Sequence, residues 1–105
     1  MQKRDLFSLK GRVAVVTGAS SGLGVQMAKA LAAQGADIVI LARRKEKLEK
    51  VAEEIRQFGV RCLPIECDVT KIEMVRKAAE LAEKEFGKVD ILINNAGSGG
   101  IASAE

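Results

Sequence analysis

The densest run of chemistry-bearing residues is Thr17-Gly18-Ala19-Ser20-Ser21-Gly22-Leu23-Gly24. It follows Val13-Ala-Val-Val16, an apolar run with the branched residues of a strand buried on both faces. Three glycines and two serines within residues 18–24 then make a turn, and Leu23, Met27 and Leu31 recur every fourth residue, the spacing of a helix. A strand that enters a helix through a glycine-rich turn offers phosphate a set of unpaired N–H groups at the positive end of the helix dipole. Glycine, lacking Cβ, lets the backbone come close to the anion. A glycine triplet alone fits an ordinary strand–turn–helix connection equally well, so the rest of the chain must decide.

Three other places carry candidate chemistry. Asp68 follows a strand-like run in Cys67-Asp-Val-Thr70, where it is either a hydrogen-bond acceptor or a carboxylate preceding a helix. Asn94-Asn-Ala-Gly97 closes another apolar run, as a site or as a plain turn pair. Arg43 follows Ala42 at the end of a third run, where its guanidinium would suit a phosphate or simply open a solvated helix. The glycines lack the Gly-Lys-Ser/Thr of a P-loop. Thr17 stands where a methyltransferase would want an acid. No histidine and no C-x-x-C is present, so no metal site is expected.

Composition narrows the class further. The 105 residues are 48% hydrophobic and 30% charged with a net charge of +3, as expected of a soluble globular chain. Aromatics make up 3%, without Trp or Tyr, which disfavours a nucleic-acid surface built on stacking. Met1-Gln-Lys-Arg-Asp-Leu-Phe7 has no apolar core of a signal peptide and no run reaches membrane-spanning length, so a cytoplasmic protein without membrane contact is expected. Cys62 and Cys67 lie in one expected strand, about 16 Å apart at ~3.3 Å per residue and on opposite sides. They cannot pair and are read as two buried thiols.

Around these residues the pattern predicts strands at 13–17, 37–42, 60–67 and 89–93. A helix from Gly22 ends near Gln34-Gly35, after a polar lead-in over residues 1–12. A second helix buries Leu48, Val51, Ala52, Ile55 and Phe58. A third, opened by a Thr70-Lys-Ile-Glu73 capping box, buries Ile72, Val75, Ala79, Ala82 and Phe86 and stops at Gly87. Residues 98–105 show no periodicity and are read as irregular. Alternating strands and helices give an α/β doubly wound parallel sheet of the Rossmann type, four strands in order 3-2-1-4 with three helices. Pro64 demands an edge for the third strand, which this order supplies. The fourth strand would form a bare apolar edge, and one face would carry a single helix. Self-association is therefore expected.

Taken together, Thr17-Gly-Ala-Ser-Ser-Gly-Leu-Gly24, Cys67-Asp68-Val69-Thr70 and Asn94-Asn-Ala-Gly97 resemble, in order and spacing, the motifs of the short-chain dehydrogenase/reductase family. Lys10-Gly-Arg-Val-Ala-Val-Val16 is most similar to the branch with gluconate 5-dehydrogenases and 3-oxoacyl carrier-protein reductases. The resemblance implies that Gly18, Ser20, Ser21, Gly22, Leu23 and Gly24 shape a pyrophosphate turn. Asp68 would accept the adenine amino group with Val69 beside it, and Asn95, Ala96 and Gly97 would lie near the nicotinamide-side ribose. Ala42 stands where an NAD-preferring relative carries an acid, and Arg43 follows, so NADP is expected in preference to NAD. Ser21 stands where many NADP-using relatives carry a base, so only one of two usual signals is present.

The family's catalytic Tyr-x-x-x-Lys has no counterpart, because the sequence contains no tyrosine, and no catalytic residue is assigned. Residues 1–105 thus read as a truncated dinucleotide-binding half of an oxidoreductase acting on an alcohol or ketone, without turnover of its own. The alternative is a stand-alone nucleotide-binding or structural module without catalysis.

Overall fold

A computed structural model describes residues 8–19, 22–95 and 102–104. The chain runs β1 (Val13–Thr17), α1 (Gly22–Ala33), β2 (Asp37–Ala42), α2 (Lys45–Arg56), β3 (Cys62–Glu66), α3 (Ile72–Phe86), β4 (Ile91–Asn94) and β5 (Ala102–Ala104). The sheet order is β3-β2-β1-β4-β5. The first four strands are parallel, in the expected Rossmann order, with Thr17 opposite both Leu41 and Asn94 and Ala42 opposite Glu66. Pro64 lies in β3, an edge strand, where its missing N–H costs no ladder bond.

Burial follows from the two-residue side-chain period of the central strands. Ala14, Val16, Ile38 and Ile40 face one way, onto Ala28 and Ala32 of α1 and Leu48, Ala52 and Ile55 of α2. Val13, Val15, Val39 and Leu41 face the other way, onto Ala78 and Ala82 of α3. Ile38, Ile40, Leu41, Leu48 and Ile55 are the largest fully buried side chains, each contributing about 2 kcal/mol by leaving water. Cys62 belongs to the first cluster and Cys67 to the second, so the two free thiols do lie on opposite faces of the sheet. Among the described residues no helix is long and apolar enough to cross a membrane.

Several expectations need correction. Residues 102–104 are not irregular: they form β5, antiparallel to β4 through Leu92↔Ala104 and Asn94↔Ala102, so the β4 edge is covered. The strands at 60–67 and 89–93 occupy 62–66 and 91–94. In α1 the fully buried stripe is Gly24, Ala28 and Ala32, one residue on from the Leu23, Met27 and Leu31 whose spacing marked the helix; Leu31 is partly buried against the same core and Leu23 is 46% exposed. Both stripes repeat every four residues; the small one wins because it lets the helix backbone lie close to the sheet. Phe58 falls beyond the end of α2 and is exposed.

In α3 the fully buried residues are Ala78 and Ala82, Val75 and Phe86 are partly covered, and Ile72 is 71% exposed. No other helix among the described residues covers that face, so the flanks of the predicted stripe stay open. The capping box does not form either. Lys71, whose side chain has no acceptor, is the N-cap and makes no side-chain cap bond, while the Thr70 hydroxyl donates to Asp68.

Candidate functional site

The carboxyl ends of β1, β2, β3 and β4 lie side by side, and the residues singled out in the sequence stand there. β1 leads into Gly18, with φ +65°, and α1 starts at Gly22, with φ +60°, values that L side chains rarely adopt. Gly24 comes next in the same bend. A Cβ there would overlap the Gly18 carbonyl oxygen and come within 3.0 Å of Asn95 Nδ2. Only glycine lets α1 begin this close to the strand end. The Ala19 N–H donates to the Leu41 carbonyl at 3.2 Å, which ties the turn to β2.

Thr17, 3% exposed, fastens the other side. Its hydroxyl accepts the Asn95 N–H at 2.9 Å and donates to Asn94 Oδ1 at 2.9 Å, with the Ile93 carbonyl farther away at 3.4 Å. The end of β4 is thereby held against the end of β1, where the chain's crossovers change direction. In open α/β sheets that switch point is where ligands bind. Asn95 therefore sits beside the start of α1 although 71 positions separate it from Gly24 in the sequence. Thr17 was not among the predicted site residues. Its sequence signals were its place at the head of the glycine motif and a hydroxyl at the end of an otherwise apolar strand.

On the β3 side, Asp68 Oδ1 accepts both the Thr70 hydroxyl, at 2.6 Å, and the Thr70 N–H, at 3.0 Å. These bonds, the hydroxyl's foremost, hold the carboxyl below its ordinary range, helped by the charges of Arg43 and Lys71 against a smaller opposing effect of burial. Asp68 is thus an ionised, oriented acceptor. Arg43, Glu66, Asp68 and Met74 line a cavity of about 330 Å³. Thr17, Val69, Thr70, Ile72, Val75, Leu92 and Asn94 line a second, mostly apolar one of about 300 Å³. Asp68 thus lines the first cavity, and its neighbour Val69 lines the second. Ser20, Ser21, Ala96 and Gly97 lie outside the described residues.

Among the described residues the strand ends thus gather a glycine-built helix start, a carboxylate acceptor at Asp68 and a guanidinium at Arg43. Among the described residues no group of three His, Cys, Asp or Glu side chains is placed to hold a metal ion.

Known proteins carry the same architecture. A probable NADP-dependent mannitol dehydrogenase of Yarrowia lipolytica is 45% identical over 93 residues, covering 89% of this chain and 34% of that protein. L-Sorbose reductase of Gluconobacter frateurii, solved with NADPH and L-sorbose, is 42% identical with a TM-score of 0.83, covering 87% of this chain and 35% of that one. An NAD+-bound xylitol dehydrogenase is 39% identical with a TM-score of 0.82, covering 85% and 34%. The chain spans about a third of the length of the curated relatives it matches. The short chain dehydrogenase family model runs across residues 12–105, from the strand that enters the glycine turn to beyond the Asn94-Asn95 junction, and the chain belongs to that family.

Proposed function

We propose that residues 1–105 are the cofactor-binding half of an oxidoreductase that moves a hydride between NADP(H) and an alcohol or ketone. The nicotinamide, when bound, supplies the hydride donor or acceptor; the residues of this chain bind and orient it. Gly18, Ser20, Ser21, Gly22, Leu23 and Gly24 form the pyrophosphate turn. Asp68 takes the adenine amino group, Val69 packs beside the base, and Asn95, Ala96 and Gly97 lie along the nicotinamide-side ribose. The acid/base step has no residue here, since the sequence has no tyrosine, and these 105 residues alone bind cofactor without turnover. A cytoplasmic location accords with two free, buried thiols. Self-association rests on the exposed Ile72 and Leu81 of α3 rather than on an open sheet edge.

The observation that carries the choice of NADP is the pair Ala42-Arg43 at the end of β2. Ala42 is buried and neutral, so it presents neither the ribose-binding carboxylate of an NAD site nor its repulsion of a 2′-phosphate. Arg43 is exposed, lines the same cavity as Asp68, and offers paired donors to a phosphate. The NADPH-bound L-sorbose reductase accords with this preference, and the NAD+-bound xylitol dehydrogenase is the counterexample within the same fold.

Calorimetric titration of the chain with NADPH and NADH tests the reading. Arg43→Ala should weaken NADPH about tenfold or more, ~1.4 kcal/mol, and leave NADH within about twofold. Equal weakening of both cofactors, or a wild-type preference for NADH, would overturn it.

A further inference from the structure

The strand register puts a second charged residue beside Arg43. Glu66 ends β3 directly opposite Ala42, and the Cys67 N–H donates to the Ala42 carbonyl at 2.8 Å, locking the two strand ends together. The cavity that Arg43 and Asp68 line is therefore also lined by Glu66, so one guanidinium shares it with two carboxylates. Asp68 is already engaged through Oδ1 with Thr70. Glu66 is exposed and, among the described residues, neither it nor Arg43 takes part in a recorded ion pair. An anion bound at Arg43 would share this cavity of about 330 Å³ with the Glu66 carboxylate, and the repulsion between them is screened over ~8 Å at physiological ionic strength.

We propose that Glu66 is a specificity-determining residue of the cofactor site: its carboxylate repels a 2′-phosphate and competes for Arg43, lowering the advantage of the phosphorylated cofactor over the unphosphorylated one. This rests on the assignment of Arg43 to the 2′-phosphate. It deepens that assignment by naming the group that limits it. The plainer alternative is a strand-end glutamate turned to solvent with no effect on ligands. The two differ in what happens when the charge is removed and the shape retained.

The test is calorimetric titration of the full chain and of Glu66→Gln with adenosine 2′,5′-bisphosphate and with adenosine 5′-monophosphate, which differ only in the 2′-phosphate. Glu66→Gln should bind the bisphosphate about fivefold tighter, the size of a screened interaction between one unit charge and a doubly charged phosphate. Its affinity for the monophosphate should be unchanged. The gain should shrink as salt rises from about 0.02 M to about 0.5 M, and Glu66→Asp, which keeps the charge, should behave as wild type. Unchanged thermal melting of Glu66→Gln separates this from a packing effect.

Bisphosphate binding that does not tighten, tightening equal for both ligands, or a gain that survives high salt overturns the role of Glu66. A wild-type chain that prefers the bisphosphate while Glu66→Gln matches it overturns Glu66 alone and leaves Arg43 standing. A wild-type chain that does not discriminate, with Glu66→Gln no better, removes both.

Discussion

Gly24 lies so close to Gly18 that a Cβ on it would overlap the Gly18 carbonyl oxygen, leaving no room for a side-chain carbon between the first turn of α1 and the end of β1. This contact sets how deeply the helix start sits over the strand end. It also explains why α1 buries the Gly24-Ala28-Ala32 face in place of the larger residues one position earlier. Gly24→Ala should destabilise the chain by about 3 kcal/mol, because the clash is with backbone that cannot rotate away. Gly22→Ala meets no atom within 4 Å and suffers only its positive φ, for about 1 kcal/mol. Urea titration of the two variants checks the order, and equal losses would refute the close-packing account.

Thr17 joins β1 to β4 through a buried hydroxyl that both accepts and donates. Thr17→Val keeps the shape and removes the hydroxyl, stranding the Asn95 N–H at a cost of about 1–2 kcal/mol. Thr17→Ser should retain most of the stability. Hydrogen exchange at the Asn95 amide should accelerate in Thr17→Val and stay slow in Thr17→Ser.

Asp90 and Asp68 predict the acid limb of stability. The Asp90 carboxyl is held below its ordinary range first by the Val13 N–H, at 2.8 Å, and then by Lys88 and Arg12, against a smaller opposing effect of burial. Asp68 is held down chiefly by Thr70. Folded values lower than unfolded ones mean stabilisation that is present above the unfolded carboxylate value of about 4 and lost as pH falls through the folded values. The urea midpoint should therefore be flat between about pH 5 and 7 and drop below about pH 4. Asp90→Asn should lower it at neutral pH and make the acid drop shallower; an unchanged slope would count against Asp90.

The two thiols should be inert in the folded chain. Burial pushes Cys62 up to about 12, with Arg56 opposing weakly, and burial followed by the charge of Asp68 raises Cys67. At about 12, only about one Cys62 in ten thousand is thiolate at pH 8. A disulfide reagent should react slowly with native chain and release two equivalents promptly in denaturant, from the two cysteines of the sequence. Rapid native labelling would show that the sheet faces open.

Much of this was legible in the linear order because it depends on local chemistry. Branched apolar runs bounded by glycines marked β1 and β2, Pro64 marked the edge strand, and the glycine spacing at 18–24 marked the turn from β1 into α1. The alternation of strand and helix was enough to derive the order of the first four strands, since right-handed crossovers leave few other choices. Residues 102–104 carried no such signal. A three-residue strand of small side chains has no periodicity, and its pairing with Leu92–Asn94 exists only where β4 presents an edge.

The sequence by itself determined the family and the parallel core, because those rest on residue type at short range. The tertiary structure alone decided which face each helix buries, that Thr70 serves Asp68 in place of capping α3, that Thr17 reaches Asn95, and that Glu66 stands beside Arg43. Those relationships join residues up to 78 positions apart. They are set by strand register and by the competition of several side chains for one space, neither of which is written in any single stretch of chain.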